Sequence, residues 1–140
     1  MRIFQRDFDR YEGVRPIQIY LLRLVFLLVF LAVGSDSWGG ILRHHGSWDP
    51  VRAAAICMWA SYSLLSILGV FHPLKMLPIT LFEILYKIVW LIIVAYPLWK
   101  ANQLAGTAAE MTKAFLFFPL LIVATPWRYV LDTYVLNRKR

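Results

Sequence analysis

Cysteine and charged side chains are both scarce in this sequence. Cys57 is the single cysteine, so the chain carries no internal disulfide, no CxxC pair and no Cys/His zinc pattern. Charged residues make up 16% of the 140 residues, whereas hydrophobic residues make up 60%. Soluble domains carry about 25% charged residues, and a chain this apolar is typical of polytopic membrane proteins. We therefore expect an all-α membrane protein.

The sequence also lacks the residue patterns of familiar catalytic sites. It contains no recognisable nucleophile–base pair and no phosphate-binding loop. His44 and His45 are adjacent, which points their side chains apart on most backbones, and no third metal ligand is near them in sequence. We therefore predict no catalytic residues and no metal site, although a membrane enzyme remains an alternative.

Basic residues outnumber acidic ones, 15 against 8, giving a net charge of +7. Most of them fall at predicted membrane edges, where basic residues set topology and meet anionic lipid, so nucleic acid is not an expected partner. One side of the predicted bundle holds eight basic residues: Arg2, Arg6, Arg10, Arg15, Lys75, Arg138, Lys139 and Arg140. The other holds four: Arg43, Arg52, Lys100 and Lys113. The positive-inside rule predicts that both termini are cytoplasmic.

Four apolar runs are long enough to cross a bilayer, which takes about 20 helical residues. The sequence predicts one membrane domain, a four-transmembrane-helix bundle over residues 1–140, with spans at 17–34, 51–71, 77–99 and 111–134. Residues 1–16 carry Phe4, Phe8 and Tyr11 at helical spacing among charged residues, which favours a short amphipathic helix on the membrane surface. Residues 35–50 and 100–113 are predicted loops.

Ionisable residues inside the predicted spans are the main functional signal. The third span reads LPITLFEILYKIVWLIIVAYPLW and carries Glu83 and Lys87 four residues apart, an ion-pair spacing that places both on one helix face. With both termini cytoplasmic, five charged residues fall in the cytoplasmic half of the membrane: Arg23, Glu83, Lys87, Arg128 and Asp132. These residues could form a ligand site for an anionic or strongly polar headgroup, or an ion-pair network that only fixes helix register.

The second predicted span carries small residues at regular intervals. Ala53, Cys57 and Ser61 recur every four residues, a pattern that allows close helix packing in lipid, so we expect this face to pack against a neighbouring helix. On a neighbouring face, Trp59, Tyr62, Ser66 and Gly69 could line an internal cavity, although close packing explains them equally well.

The first span and the residues after it read YLLRLVFLLVFLAVGSDSW, with Arg23 early and Gly34 late. Together with the four-span length, this stretch resembles the DoxX-like group of small bacterial membrane proteins. The resemblance implies a multi-pass protein of the bacterial inner membrane that is associated with redox or quinone-linked systems.

Three functions are consistent with these observations. The favoured one is a non-catalytic accessory or assembly subunit of a larger membrane complex, holding a lipid or quinone near the charged cluster. Its partners would be the bilayer and other membrane subunits or further copies of itself, and no other cofactor is predicted. The alternatives are a small oligomeric transporter and a quinone-linked membrane enzyme of DoxX-like type.

Overall fold

The computed structural model describes residues 4–6 and 8–136, and these residues form helices without a β-strand. Four helices are long and apolar enough to cross a membrane, as the sequence predicts. In chain order the helices are α1 (Phe8–Tyr11), α2 (Pro16–Leu42), α3 (Pro50–Phe71), α4 (Leu77–Lys100), α5 (Gly106–Ala124) and α6 (Trp127–Val130), with a π-helical turn at Leu131–Val135 after α6. The chain is therefore a multi-pass, membrane-embedded helical protein.

Proline and a side-chain cap mark the starts of the first two spans. Pro16 and Pro50 each occupy the first turn of their helix, where the missing backbone donor has no intrahelical partner to lose. The carboxylate of Asp49 accepts a hydrogen bond from the Arg52 backbone amide at 2.7 Å. This contact satisfies one of the free amides of the first turn, so α3 begins where its sequence predicts.

Two helices extend into stretches that the sequence predicts as loops. Helix α2 continues through residues 35–42, where the hydroxyls of Ser35 and Ser37 donate to the carbonyls of Ala32 and Val33 in the preceding turn and so need no solvent partner. Helix α5 starts at Gly106. Gly106 has a φ of +56°, and the residue before it, Ala105, is extended. The loop predictions are therefore wrong for residues 35–42 and 106–110.

The last predicted span is interrupted. Thr125 has an extended ψ of 123°, as expected for a residue that precedes a proline, and α5 ends at Ala124. The chain resumes as α6 after Pro126. Arg128 and Asp132 therefore lie beyond the fourth membrane-spanning helix rather than inside it.

The four spans alternate in direction, and their packing is uneven. Helix α2 packs along α3 and against the second half of α5, while α3 and α4 meet over a short stretch only. The main core lies toward the end of the bundle where α2 and α4 begin, which we call the Pro16 end, as distinct from the opposite Pro50 end. Its buried side chains include Leu22, Val25, Phe26, Leu77, Ile84, Leu121 and Ala124. Large apolar side chains on the outer faces of the spans are exposed, as expected for residues that contact lipid.

Candidate functional site

An ion pair buried between membrane-spanning helices is the centre of the candidate site. Lys87 Nζ donates to Glu83 Oε1 at 2.5 Å, one helical turn apart on α4. Glu83 is 2% exposed and Lys87 is 8% exposed. Charges at this depth are costly unless they are paired, so the predicted i, i+4 pair is present and faces the interior of the bundle.

Aromatic side chains from three helices surround the ion pair. The hydroxyls of Tyr62 on α3 and Tyr86 on α4 lie 3.3 Å apart and share a hydrogen bond. The Phe115 ring of α5 meets Tyr86 edge-on at 5.6 Å between centroids, and its centroid lies 5.8 Å from Lys87 Nζ. At 5.8 Å the ammonium is within the range of a cation–π contact with this ring. Tyr62, Tyr86 and Phe115 therefore form an aromatic wall beside the Glu83–Lys87 ion pair.

This wall faces a cleft of 480 Å³, which we call the inner cleft. Lys87, Tyr62, Tyr86 and Phe115 line it, and Trp59 of α3 contributes an indole ring. Its volume lies in the range of sites that hold small molecules, and a mostly apolar lining with a few polar groups is typical of such sites. The inner cleft can therefore offer ring surfaces for stacking, and the Lys87 ammonium and one hydroxyl of the Tyr62–Tyr86 pair as hydrogen-bond donors.

A second cleft of 780 Å³, the outer cleft, continues from the first toward the Pro50 end. The two clefts share Asp36, Trp59, Met111 and Ala114 as lining residues. The outer cleft also has Arg52 and Glu110 in its lining. Charged groups therefore surround the entrance, whereas the inner cleft is mainly aromatic.

The five predicted cluster residues do not form one cluster. Glu83 and Lys87 pair with each other, and in the described ranges neither forms an ion pair with Arg23 or Arg128. Arg23 on α2 has a buried Nε atom that lacks a hydrogen-bond partner within the part of the chain described. Arg128 is exposed on α6 and Asp132 lies on the turn that follows it, because α5 ends before Pro126. The prediction of a single five-residue layer is wrong.

The predicted small-residue face of α3 is not its buried face. Cys57 and Ser61 are exposed and Ala53 is half-buried, and the Ser61 hydroxyl donates to the Cys57 carbonyl at 2.7 Å. The buried residues at three-residue spacing are Ala60, Ser63, Ser66 and Gly69. A Cβ atom at Gly69 would collide with the Phe26 ring of α2. The face of α3 that packs against α2 is therefore the one on which Gly69 leaves room for this ring. The predicted packing of Ala53, Cys57 and Ser61 against a neighbouring helix stays a prediction.

No protein-family model, curated protein or solved structure matches this chain. The candidate site therefore has to be interpreted from its own geometry.

Some cleft residues could be predicted from sequence and others could not. Trp59 and Tyr62 line the inner cleft, whereas Ser66 and Gly69, which share their predicted face, are buried in helix packing. Asp36 falls in a stretch predicted as a loop, so its place in the clefts is not predicted, whereas Met111 begins the predicted fourth span. Ala108 and Ala109, which favour helix, are the sequence signal that α5 starts before Met111.

Proposed function

We propose that this protein is a non-catalytic accessory subunit of the membrane that holds a quinone or a similar lipid-like ring in the inner cleft beside Lys87. One observation carries the proposal: a buried ion pair lies at the wall of an open aromatic cleft between membrane-spanning helices. The resemblance of the first span to the DoxX-like group, which is linked to quinone systems, agrees with this ligand class.

The donors and rings of the inner cleft suit a quinone headgroup. A quinone is a planar ring with two carbonyl acceptors, and one wall supplies two donors: the Lys87 ammonium and the free proton of the Tyr62–Tyr86 hydroxyl pair. Phe115 and Trp59 supply ring faces and edges against which a planar ring stacks. Because Glu83 already neutralises Lys87, the site favours an uncharged ligand that accepts hydrogen bonds over an anion.

Titration with a short-chain ubiquinone analogue tests this proposal. The purified protein in detergent should show saturable quenching of tryptophan fluorescence, because Trp59 lines the cleft. The substitution Ala114→Leu adds bulk to an exposed lining position and should abolish the saturable part. Tyr86→Phe removes one donor and should raise Kd by up to about tenfold, since a hydrogen bond contributes about 0.5–1.5 kcal/mol.

Matched substitutions away from the cleft separate binding from general effects. Ala54→Leu on the exposed side of α3 and Tyr96→Phe near the far end of α4 make the same chemical changes outside the cleft lining, so both should titrate like the unmodified protein. Equal quenching in Ala114→Leu and Ala54→Leu would mean that the analogue only partitions into detergent, which would end the quinone proposal.

The proposal includes a location and an orientation. We assign the protein to the bacterial inner membrane with the Pro16 end and both termini facing the cytoplasm, supported by the excess of basic residues on that side. Alkaline phosphatase fused after Arg140 should be inactive and a fusion within the loop after Lys100 should be active. The reverse pattern would overturn this orientation.

A small oligomeric transporter is a second candidate because the outer and inner clefts are adjacent and share four lining residues, and the inner cleft contains Lys87. A transporter would need Glu83 or Lys87 to release and rebind protons during each cycle. Proteoliposomes that carry the protein should then move a lipophilic aromatic cation against a proton gradient, and Glu83→Gln should abolish the flux. Quinone binding without such flux would decide for the accessory subunit.

A further inference from the structure

A third cavity lies at the Pro16 end, away from the two clefts. Its volume is 410 Å³, and it is bounded by the residues before α2, the first turn of α2 and the break between α5 and α6. Three arginines line it: Arg6 and Arg15 from the stretch before α2, and Arg128 from α6. We call this cavity the arginine pocket. Because α6 is far from this stretch in sequence, the fold places Arg128 at the same cavity as Arg6 and Arg15.

Positive charge is in excess in the arginine pocket. Among the residues that the structure describes, its lining holds three guanidinium groups and one carboxylate, that of Glu12. Over residues 4–6 and 8–136, none of the three arginines forms an ion pair. The Glu12 carboxylate accepts a hydrogen bond from the Tyr129 hydroxyl at 2.8 Å. This hydrogen bond occupies one carboxylate oxygen and joins the segment before α2 to α6.

The Tyr129 hydroxyl is a stable donor for this contact. Burial, and then the hydrogen bond to the Glu12 carboxylate, raises the pKa of Tyr129 to about 12. The phenol therefore keeps its proton at neutral pH and continues to hold Glu12. The wall of the pocket next to Arg128 is fixed by the same contact.

The other wall of the arginine pocket is apolar. Ile122 and Val123, on the last turn of α5, face the cavity. The Trp127 indole donates to the Ile122 carbonyl at 2.8 Å across the helix break. This bond holds a tryptophan, a residue that is common at membrane–water interfaces, at the edge of the pocket. The pocket therefore has arginine side chains on one side and apolar side chains on the other, at the level where the membrane-spanning helices end.

We infer that the arginine pocket binds the phosphate of an anionic phospholipid headgroup, with the acyl region lying against Ile122 and Val123. Guanidinium groups match phosphate oxygens in bidentate geometry, and several of them around one site neutralise its charge. Free inorganic phosphate shares this chemistry, but only a lipid would use the apolar wall. The inference does not depend on ligand binding in the inner cleft.

Lipid retention by the delipidated protein tests this inference. Native mass spectrometry should show that the unmodified protein retains phosphatidylglycerol in preference to phosphatidylcholine at equal concentration. Arg128→Gln removes an exposed side chain and should lower the apparent affinity for phosphatidylglycerol by about tenfold, and Arg15→Gln should do the same, since each removes a charge-assisted hydrogen bond. Arg128→Lys keeps the charge but loses the bidentate geometry, so its affinity should be intermediate.

Lys75→Gln is the matched control, because Lys75 is an exposed cation in the turn between α3 and α4 at the same end of the bundle and outside the pocket lining. It should leave the preference for phosphatidylglycerol intact. Circular dichroism should show the same helix content for all variants. If Lys75→Gln and Arg128→Gln lowered the affinity for phosphatidylglycerol equally, surface charge in general would explain the binding, and the proposed site would be wrong. Competition by inorganic phosphate as strong as that by phosphatidylglycerol would overturn the lipid as its source.

Discussion

The two ends of the bundle differ in how tightly their helices pack. Toward the Pro16 end, Leu22, Phe26 and Leu121 are buried, and Gly69 lets the Phe26 ring lie directly on the α3 backbone. Toward the Pro50 end, α2 and α3 stay in contact, but the first half of α5 packs on α4 and stands apart from α2 and α3 at the inner and outer clefts. The ion pair of Glu83 and Lys87 lies where the two regions meet.

This difference has a physical origin. Helices in lipid gain little from the hydrophobic effect when they associate, so they hold together through close contact of small residues and through polar bonds. Gly69, Ser66 and Ser63 provide close contact in one half of α3, whereas Trp59 in the other half lines both clefts. The packed region can supply the stability that an open region with a ligand cleft lacks.

Breaking the ion pair should have the largest effect on stability. Glu83→Gln or Lys87→Met alone leaves a buried group without its partner, which should lower the free energy of unfolding by about 3–5 kcal/mol. The double variant should recover part of this loss, because no charge is then left uncompensated. Thermal unfolding in detergent and folded yield after purification measure both effects.

Lys100→Met is the control for loss of a lysine on the same helix, since Lys100 is exposed at the end of α4. Its unfolding temperature should stay close to that of the unmodified protein. A double variant less stable than either single variant would show that the two charges do not act as a pair.

A methyl group added at the tight end should have an intermediate effect. Gly69→Ala forces a Cβ atom against the buried Phe26 ring and should destabilise the fold by about 1–3 kcal/mol through overpacking. Gly40→Ala adds the same methyl group at the open end, where no atom lies within 4 Å. It should be neutral or slightly stabilising, since alanine favours helix over glycine. Similar unfolding temperatures for both variants would remove the contrast between the two ends.

The sequence was sufficient to predict the number of spans and the presence of an interior ion pair. Apolar length determines the first, and the i, i+4 spacing of Glu83 and Lys87 determines the second, because both are local properties of the chain. The orientation of the bundle and the surface placement of residues 1–16 stay predictions, with residues 1–3 and 7 outside the described ranges.

The parts that the sequence did not predict depend on contacts between distant segments. Residues 35–42 look like a loop by composition, but they continue α2 and pack against α3. Arg128 and Asp132 are four residues apart and continue the apolar run of the fourth predicted span. The break at Thr125–Pro126 nevertheless separates them from the helix that ends at Ala124. The packing face of α3 depends on the position of Phe26, which no pattern within α3 contains.

The smallest effect is expected at the uncovered small-residue face of α3. Ser61→Leu and Cys57→Leu place larger side chains at exposed positions, so the unfolding free energy of the isolated chain should change by less than about 0.5 kcal/mol. If Ala53, Cys57 and Ser61 contact a second copy or another subunit in the membrane, the same substitutions should weaken that association, because the backbones could no longer approach closely. Crosslinking of Cys57 between copies in native membranes, compared with crosslinking of a cysteine placed at exposed Leu64, measures the association directly. A loss of stability of 1–3 kcal/mol in the isolated chain would mean that this face packs within the bundle, as overpacking of a buried site does.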